Sequence, residues 1–126
     1  MSNPGDEPEN DKDADRALGE RRETPRIPVE MWVEESTERE LYFQRSANIS
    51  VGGIFLENTI PHPKGTVVNL QFTLPGDSVP IKVRGEIVNA AASDELGMGI
   101  KFIQVDPSAE RRIADFVLRV DTAKKV

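Results

Sequence analysis

The sequence predicts a mainly β protein: about six strands in an antiparallel barrel or sandwich, followed by one helix at the C-terminus. Three observations support this prediction. Apolar residues alternate with polar ones from residue 29 to residue 102, with turn residues between the runs. The period changes after Asp106 to that of an amphipathic helix. The first 19 residues have no such pattern, and all seven aromatic residues lie beyond residue 31.

The first 19 residues are strongly polar and are predicted to be a disordered acidic tail. They contain six carboxylates and two basic residues, a net charge of −4, within a chain whose formal charge is −6. A segment without aromatic residues cannot bury enough apolar surface to offset the entropy of ordering. We therefore expect one domain over residues 20–126, which contains enough apolar residues for a single small core.

The first two predicted strands lie on either side of a predicted turn. Val29, Met31 and Val33 alternate with Glu30, Trp32 and Glu34. Ser36-Thr37-Glu38 is typical of a turn. In the second strand, the face predicted to point into the core contains Leu41, Phe43, Ala47 and Ile49. Arg45 falls on the same face and is an exception to its apolar character. The opposite face is then predicted to point outward: Tyr42, Gln44, Ser46, Asn48 and Ser50. Trp32 is expected to face outward and to act as structural cover rather than to stack on a ligand base.

Four further strands follow, separated by glycine and proline. They are predicted around residues 54–56, 68–74, 79–87 and 98–102, with a connection over 58–65 and a turn at 75–77. Gly52-Gly53 interrupts the alternation and indicates a bulge or a close backbone approach. Gly85 is expected to ease a bend in a long strand.

The C-terminal helix has clear start signals. Asp106 is a good N-cap, and Pro107 suits the first helical position. Ile113, Phe116, Val117 and Val120 then recur at helical spacing, which predicts an apolar stripe packed on the barrel or sandwich.

Two short motifs carry the functional prediction. Residues 20–26, Glu-Arg-Arg-Glu-Thr-Pro-Arg, supply three guanidinium groups, and residues 48–53, Asn-Ile-Ser-Val-Gly-Gly, supply small polar groups and two glycines. Arginine matches phosphate and guanine edges with paired donors, and glycine lets backbone approach a ligand closely. The first motif alone would suit a solvated charged linker. Together the two predict a receptor for a phosphorylated small molecule that carries a base.

The pattern Arg22-x-x-x-Arg26 followed by Asn48-x-Ser50-x-x-Gly53 resembles the two-part signature of the PilZ domain, a bacterial receptor for cyclic di-GMP. The resemblance covers roughly residues 20–120. It implies a six-stranded antiparallel β-barrel with one C-terminal helix. It also implies that Arg22 and Arg26 contact guanine edges and phosphates with help from Arg21, and that the second motif lies beneath the ligand. Many members have aspartate in place of Asn48.

The ligand set implied by the resemblance is therefore Arg21, Arg22, Arg26, Asn48, Ser50, Gly52 and Gly53. Ordering of the arginine segment over the ligand would signal to an effector protein in motility, adhesion, exopolysaccharide or developmental control. The ligand would bind as a monomer or a stacked dimer, and the protein would be a monomer or homodimer. The alternative is an adaptor of the same fold that works only through protein–protein contacts.

Other function classes find little support in the sequence. An acidic chain is a poor ligand for duplex nucleic acid, and no apolar run is long enough to span a membrane, so we expect a cytoplasmic protein. There is no cysteine, and the one histidine, His62, is expected to be a loop residue rather than a metal ligand or base. Glu34-Glu35 is interpreted as strand-end charge. We accordingly expect no enzyme, no metal and no cofactor other than the ligand.

Overall fold

The computed structural model describes residues 25–90 and 96–124, which form seven strands and one helix. The bounds are β1 Ile27–Pro28, β2 Trp32–Ser36, β3 Leu41–Ser50, β4 Gly53–Glu57, β5 Val67–Phe72, β6 Ile81–Ala90, β7 Gly97–Val105 and α1 Pro107–Lys124. The predicted tail over 1–19, together with Arg21 and Arg22, lies outside the described residues.

Six of the strands close into an antiparallel barrel, as predicted. Neighbours follow the order β3, β2, β5, β6, β7, β4, and pairing of β4 with β3 completes the circle. The two-residue β1 is an extra strand that pairs with β3, with Ile27 opposite Ile49 and Pro28 opposite Asn48. The barrel interior is filled by alternate residues of the strands, including Val33, Leu70 and Ile100.

The C-terminal helix begins as predicted and packs near β1 and β3. Asp106 accepts a hydrogen bond from the backbone N–H of Ser108 at 3.2 Å, which caps the helix. Ile113, Phe116 and Val117 are buried in the core, and Val120 packs against it. The helix therefore covers the side of the barrel from which the chain enters β1.

The predicted faces of β3 were wrong over its first half. Leu41 and Phe43 are exposed, Phe43 to 64%, whereas Ser46 is fully buried. The reason is a register shift between Ser46 and Asn48, which places one extra residue in β3 and exchanges its two faces. Arg45 is then no exception, because it shares the outer face with Leu41 and Phe43.

Ser46 explains how the bulge is tolerated. Its hydroxyl donates to the Val29 carbonyl at 2.6 Å and accepts from the Met31 N–H at 3.1 Å. These two backbone groups lie where the chain passes from β1 to β2, so the serine satisfies groups that the ladder leaves unpaired. A buried polar residue thus holds β1 and β2 against β3.

Two smaller expectations at β6 had different outcomes. The strand predicted from residue 79 begins only at Ile81, and Val79 before it is exposed. Gly85 does mark an irregularity, since the register of β6 on β7 shifts between Arg84 and Gly85.

Candidate functional site

A depression of about 480 Å³ on the outside of the barrel brings the two sequence motifs together. Its lining is contributed by the entry to β1, the turn between β3 and β4, and facing parts of β6 and β7. The lining residues are Arg26, Asn48, Ser50, Gly52, Gly53, Ile54, Phe55, Val88, Gly99, Ile100 and Lys101. All five predicted ligand residues that lie within the described part of the chain belong to this set.

Arg26 and Asn48 form the direct link between the motifs. Arg26 Nη1 donates a hydrogen bond to Asn48 Oδ1 at 2.6 Å, although the residues are 22 apart in sequence. The contact follows from β1, because pairing of Pro28 with Asn48 brings the preceding arginine alongside the end of β3. With its oxygen engaged, the Asn48 amide keeps its N–H groups for donation to a ligand.

Ser50 is placed in the depression but is nearly buried, with 6% of its surface exposed. Its hydroxyl accepts a hydrogen bond from the Gly52 N–H at 3.3 Å. The side chain therefore shapes the turn between β3 and β4. The prediction that Ser50 points outward was therefore wrong, because the side chain is buried and its hydroxyl bonds within the turn.

The two glycines of the turn have different surroundings. A Cβ at Gly53 would lie 2.5 Å from the carbonyl oxygen of Ile100, whereas a Cβ at Gly52 would meet nothing within 4 Å. Gly53 is thus needed for the close approach of β4 to β7. Gly52 borders open space, and its carbonyl accepts from the Phe102 N–H at 2.9 Å.

The electrostatics of the depression favour an anion. Its charged lining residues are Arg26 and Lys101, with no carboxylate among them, in a chain of 22 acidic and 16 basic residues. Burial lowers the pKa of the Arg26 guanidinium from its ordinary value, yet arginine remains a cation at neutral pH. Two cations on a partly desolvated surface are suited to phosphate.

A second depression, of about 430 Å³, lies on the opposite side of the barrel and has a different character. It is formed by β2, β5, β6 and the end of β7, and its lining mixes Lys82 and Arg84 with Glu34 and Asp106. Because charges of both signs are present, it offers an anion no comparable attraction.

Six lining residues of the candidate site were not among the predicted ligand residues: Ile54, Phe55, Val88, Gly99, Ile100 and Lys101. They come from β4, which begins at Gly53 of the second motif, and from β6 and β7, which are distant from both motifs in sequence. The available signal was the alternation itself, since Lys101 stands between the buried Ile100 and Phe102 and must point outward. Alternation does not tell which strands lie beside the motif, so the signal could not be connected to the site.

Trp32 faces outward, as predicted, and does not line the candidate site. It is 61% exposed, so it covers little of the barrel. The centroid of its ring lies 5.1 Å from the guanidinium carbon of Arg45. The Nη2 atom of Arg45 also donates a hydrogen bond to Glu30 Oε1 at 3.1 Å. The exposed tryptophan is thus held by a cation–π contact on the outer face of β2 and β3.

His62 and Glu35 form a pair that the sequence did not reveal. His62 lies in the connection before β5, as expected, but its Nε2 is 2.6 Å from Oε2 of Glu35, whose side chain is fully buried. Gln44 Nε2 donates to the other carboxylate oxygen at 3.1 Å. Glu35 is therefore a buried anchor for the connection and not the strand-end charge that was predicted.

The described residues contain neither a metal-binding cluster nor a membrane-spanning helix. Within 25–90 and 96–124, no cluster of three or more His, Cys, Asp or Glu side chains is arranged to hold a metal ion. In the same ranges, the helix is not long and apolar enough to cross a membrane.

Comparison with known families matches the model of the PilZ domain to residues 20–119, which include both motifs and the whole barrel. This chain belongs to the PilZ domain family. PilZ domains are receptor and adaptor domains. A comparison with curated protein sequences finds no match.

Solved structures of PilZ proteins share the fold. The Bacillus subtilis inhibitor of motility MotI/DgrA superposes with a TM-score of 0.73 at 19% identity, covering 83% of this chain and 53% of that one. The PilZ domain of Escherichia coli YcgR with c-di-GMP gives 0.63 at 15% identity, with coverages of 84% and 99%. The K. pneumonia MrkH–c-di-GMP complex gives 0.63 at 17%, with coverages of 81% and 53%. This PilZ chain therefore spans about half the length of MotI/DgrA and MrkH.

Proposed function

We propose that this PilZ chain is a receptor for cyclic di-GMP that binds the ligand in the depression around Arg26 and Asn48. The observation that carries the proposal is the 2.6 Å hydrogen bond that joins the two motifs in a depression lined by two cations and no carboxylate. Two related structures, those of YcgR and MrkH, contain c-di-GMP, which supports the choice of ligand.

Each site residue has a proposed contact with the ligand that follows from its chemistry. Arg26 has a planar fork of donors that suits a guanine edge or a phosphate, and Arg21 and Arg22 precede it on the same segment. Asn48 adds amide donors, while Gly52 leaves open surface where a planar base can approach the backbone. Binding would draw the segment 21–26 over the depression.

The output of such a receptor is a changed surface presented to a partner protein. The proposed event is local, because Arg26 is one residue from β1, and β1 contacts both β3 and the helix. Ordering of the arginine segment would alter the surface formed by these elements. The likeness to the inhibitor of motility MotI/DgrA favours a partner in motility control, and the family resemblance also implies adhesion, exopolysaccharide or developmental control.

The test is calorimetric titration of the whole chain with cyclic di-GMP, with GMP and cyclic di-AMP as matched controls. We expect saturable heat with cyclic di-GMP, much weaker binding of the controls, and recovery of intact ligand by chromatography. Absence of both heat and a thermal shift at high ligand concentration would reject the receptor and favour the adaptor of the same fold. Cleaved ligand would indicate an enzyme instead.

A further inference from the structure

Lys101 stands on the opposite wall of the candidate site from Arg26. It lies on β7 between the buried residues Ile100 and Phe102, and it is exposed. Its partner across the ladder on β4 is Gly53, which has no side chain to stand between the lysine and the depression. Arg26 immediately precedes β1, and β3 and β4 lie between β1 and β7, so the two cations border the site from backbone positions three strand spacings, or about 14 Å, apart.

The Lys101 ammonium is uncommitted within the described part of the chain. Arg45 and Arg112 are each paired with a carboxylate, and Arg26 is bonded to Asn48, whereas Lys101 has no ion-pair partner among residues 25–90 and 96–124. Glu86 lies opposite Lys101 on β6, but the two form no ion pair. All three of its donors are therefore available to an incoming anion.

We propose that Lys101 is a second phosphate contact of the site, acting across the depression from the arginine segment. This inference rests on the proposed function, because a cyclic dinucleotide carries two phosphates. A compact ammonium suits a phosphate as a point charge, while the arginine fork can also read a guanine edge. Lys101 belongs to neither sequence motif, and it supplies the positive charge on the barrel itself.

The test compares Lys101→Met with Lys82→Met by titration with cyclic di-GMP. Both variants lose one positive charge from an exposed strand position, but Lys82 lines the opposite depression. Lys101→Met should weaken binding about fivefold to thirtyfold at low salt. Lys101→Arg and Lys82→Met should stay within about threefold of the parent. The loss of affinity caused by Lys101→Met should be smaller at high salt, where screening is strongest.

The outcomes separate this inference from the proposed function. Normal binding by Lys101→Met, when the parent binds, would overturn the role of Lys101 and leave the receptor intact. Equal weakening by Lys82→Met would also overturn it, since net charge would then be the cause. If Lys101→Met and Glu86→Gln lowered the melting temperature alike, the lysine would be a structural partner of Glu86. No binding by the parent would overturn both proposals.

Discussion

The guanidinium of Arg26 has two roles, one structural and one in the proposed ligand binding. It bonds to Asn48 and so joins the segment before the barrel to β3, and it is also the described arginine proposed to meet the ligand. Its five donors allow both at once. Asn48 and Arg26 could be predicted as partners in function from their motifs. Their direct contact could not, because it depends on the short strand β1, whose two residues give no period to detect.

Arg26→Ala should reduce affinity for cyclic di-GMP roughly 10- to 150-fold without unfolding the barrel, because charge-assisted hydrogen bonds are lost from an exposed side chain. Arg26→Lys keeps the charge but not the planar fork, so it should rescue poorly. Calorimetry with a parallel melting curve measures both effects. Parent-like affinity in the lysine variant would show that only charge matters at this position.

The Glu35–His62 pair is the main polar interaction inside the described barrel that the sequence concealed. Alternation along β2 places Glu35 inward, but a charged residue at such a position is normally assigned to a strand end. The compensation comes from His62 and Gln44, which are distant in sequence. Such pairs are set by tertiary structure and leave no local pattern.

His62→Ala should lower the free energy of unfolding by about 3 kcal/mol, because it leaves a buried carboxyl group without its main partner. Replacing both residues together, by Glu35→Leu and His62→Leu, should restore much of that loss. Affinity for cyclic di-GMP should stay unchanged, since neither residue lines the site. Denaturant unfolding of the single and double variants measures these free energies. An unchanged free energy of unfolding in His62→Ala would show that the pair does not stabilise the protein.

Among the elements, β3 is the strand whose inward and outward faces were predicted least accurately. Its first half exposes the residues that alternation assigned to the core, because the bulge after Ser46 reverses the faces. The other barrel strands and the helix follow their patterns closely, as Val68, Leu70 and Phe72 do on β5. A bulge is set by pairing with other strands, so a single strand read alone cannot reveal it.

The turn between β3 and β4 offers a matched pair of glycine variants. Gly53→Ala should destabilise the protein by about 1–3 kcal/mol, because the new methyl group would collide with the Ile100 carbonyl. Gly52→Ala should change stability by no more than about 0.5 kcal/mol, since its Cβ would enter open space. A loss of affinity in Gly52→Ala would then report a ligand close to that turn. Equal melting temperatures for the two variants would contradict the account of Gly53.

At the scale of the whole molecule, the barrel and its capped helix were predictable because the sequence has clear strand and helix periodicities, separated by residues typical of turns. The family signature made the site predictable in outline. It did not include Lys101, which reaches the depression only because β7 and β4 are neighbours in the closed barrel. Barrel closure is a property of the entire chain, and no local segment contains that information.

Removal of residues 1–18 should leave the melting temperature and the ligand affinity nearly unchanged. This segment is acidic and lacks aromatic residues, and it ends before the arginine motif. Its negative charge could oppose an anionic ligand weakly, so affinity should rise slightly at low salt. The comparison uses both chains at two salt concentrations. A large fall in melting temperature would show that the tail packs on the barrel and that the domain boundary is wrong.

The most direct test of the central claim is a ¹H–¹⁵N NMR titration of the whole chain with cyclic di-GMP. We predict that amide shifts concentrate at Arg26, the turn from Asn48 to Gly53, and Lys101. Amides on the opposite side of the barrel, such as Asn69 and Lys82, should stay unperturbed. Saturable shifts confined to that opposite side, or no shifts at all, would contradict the assignment of the site.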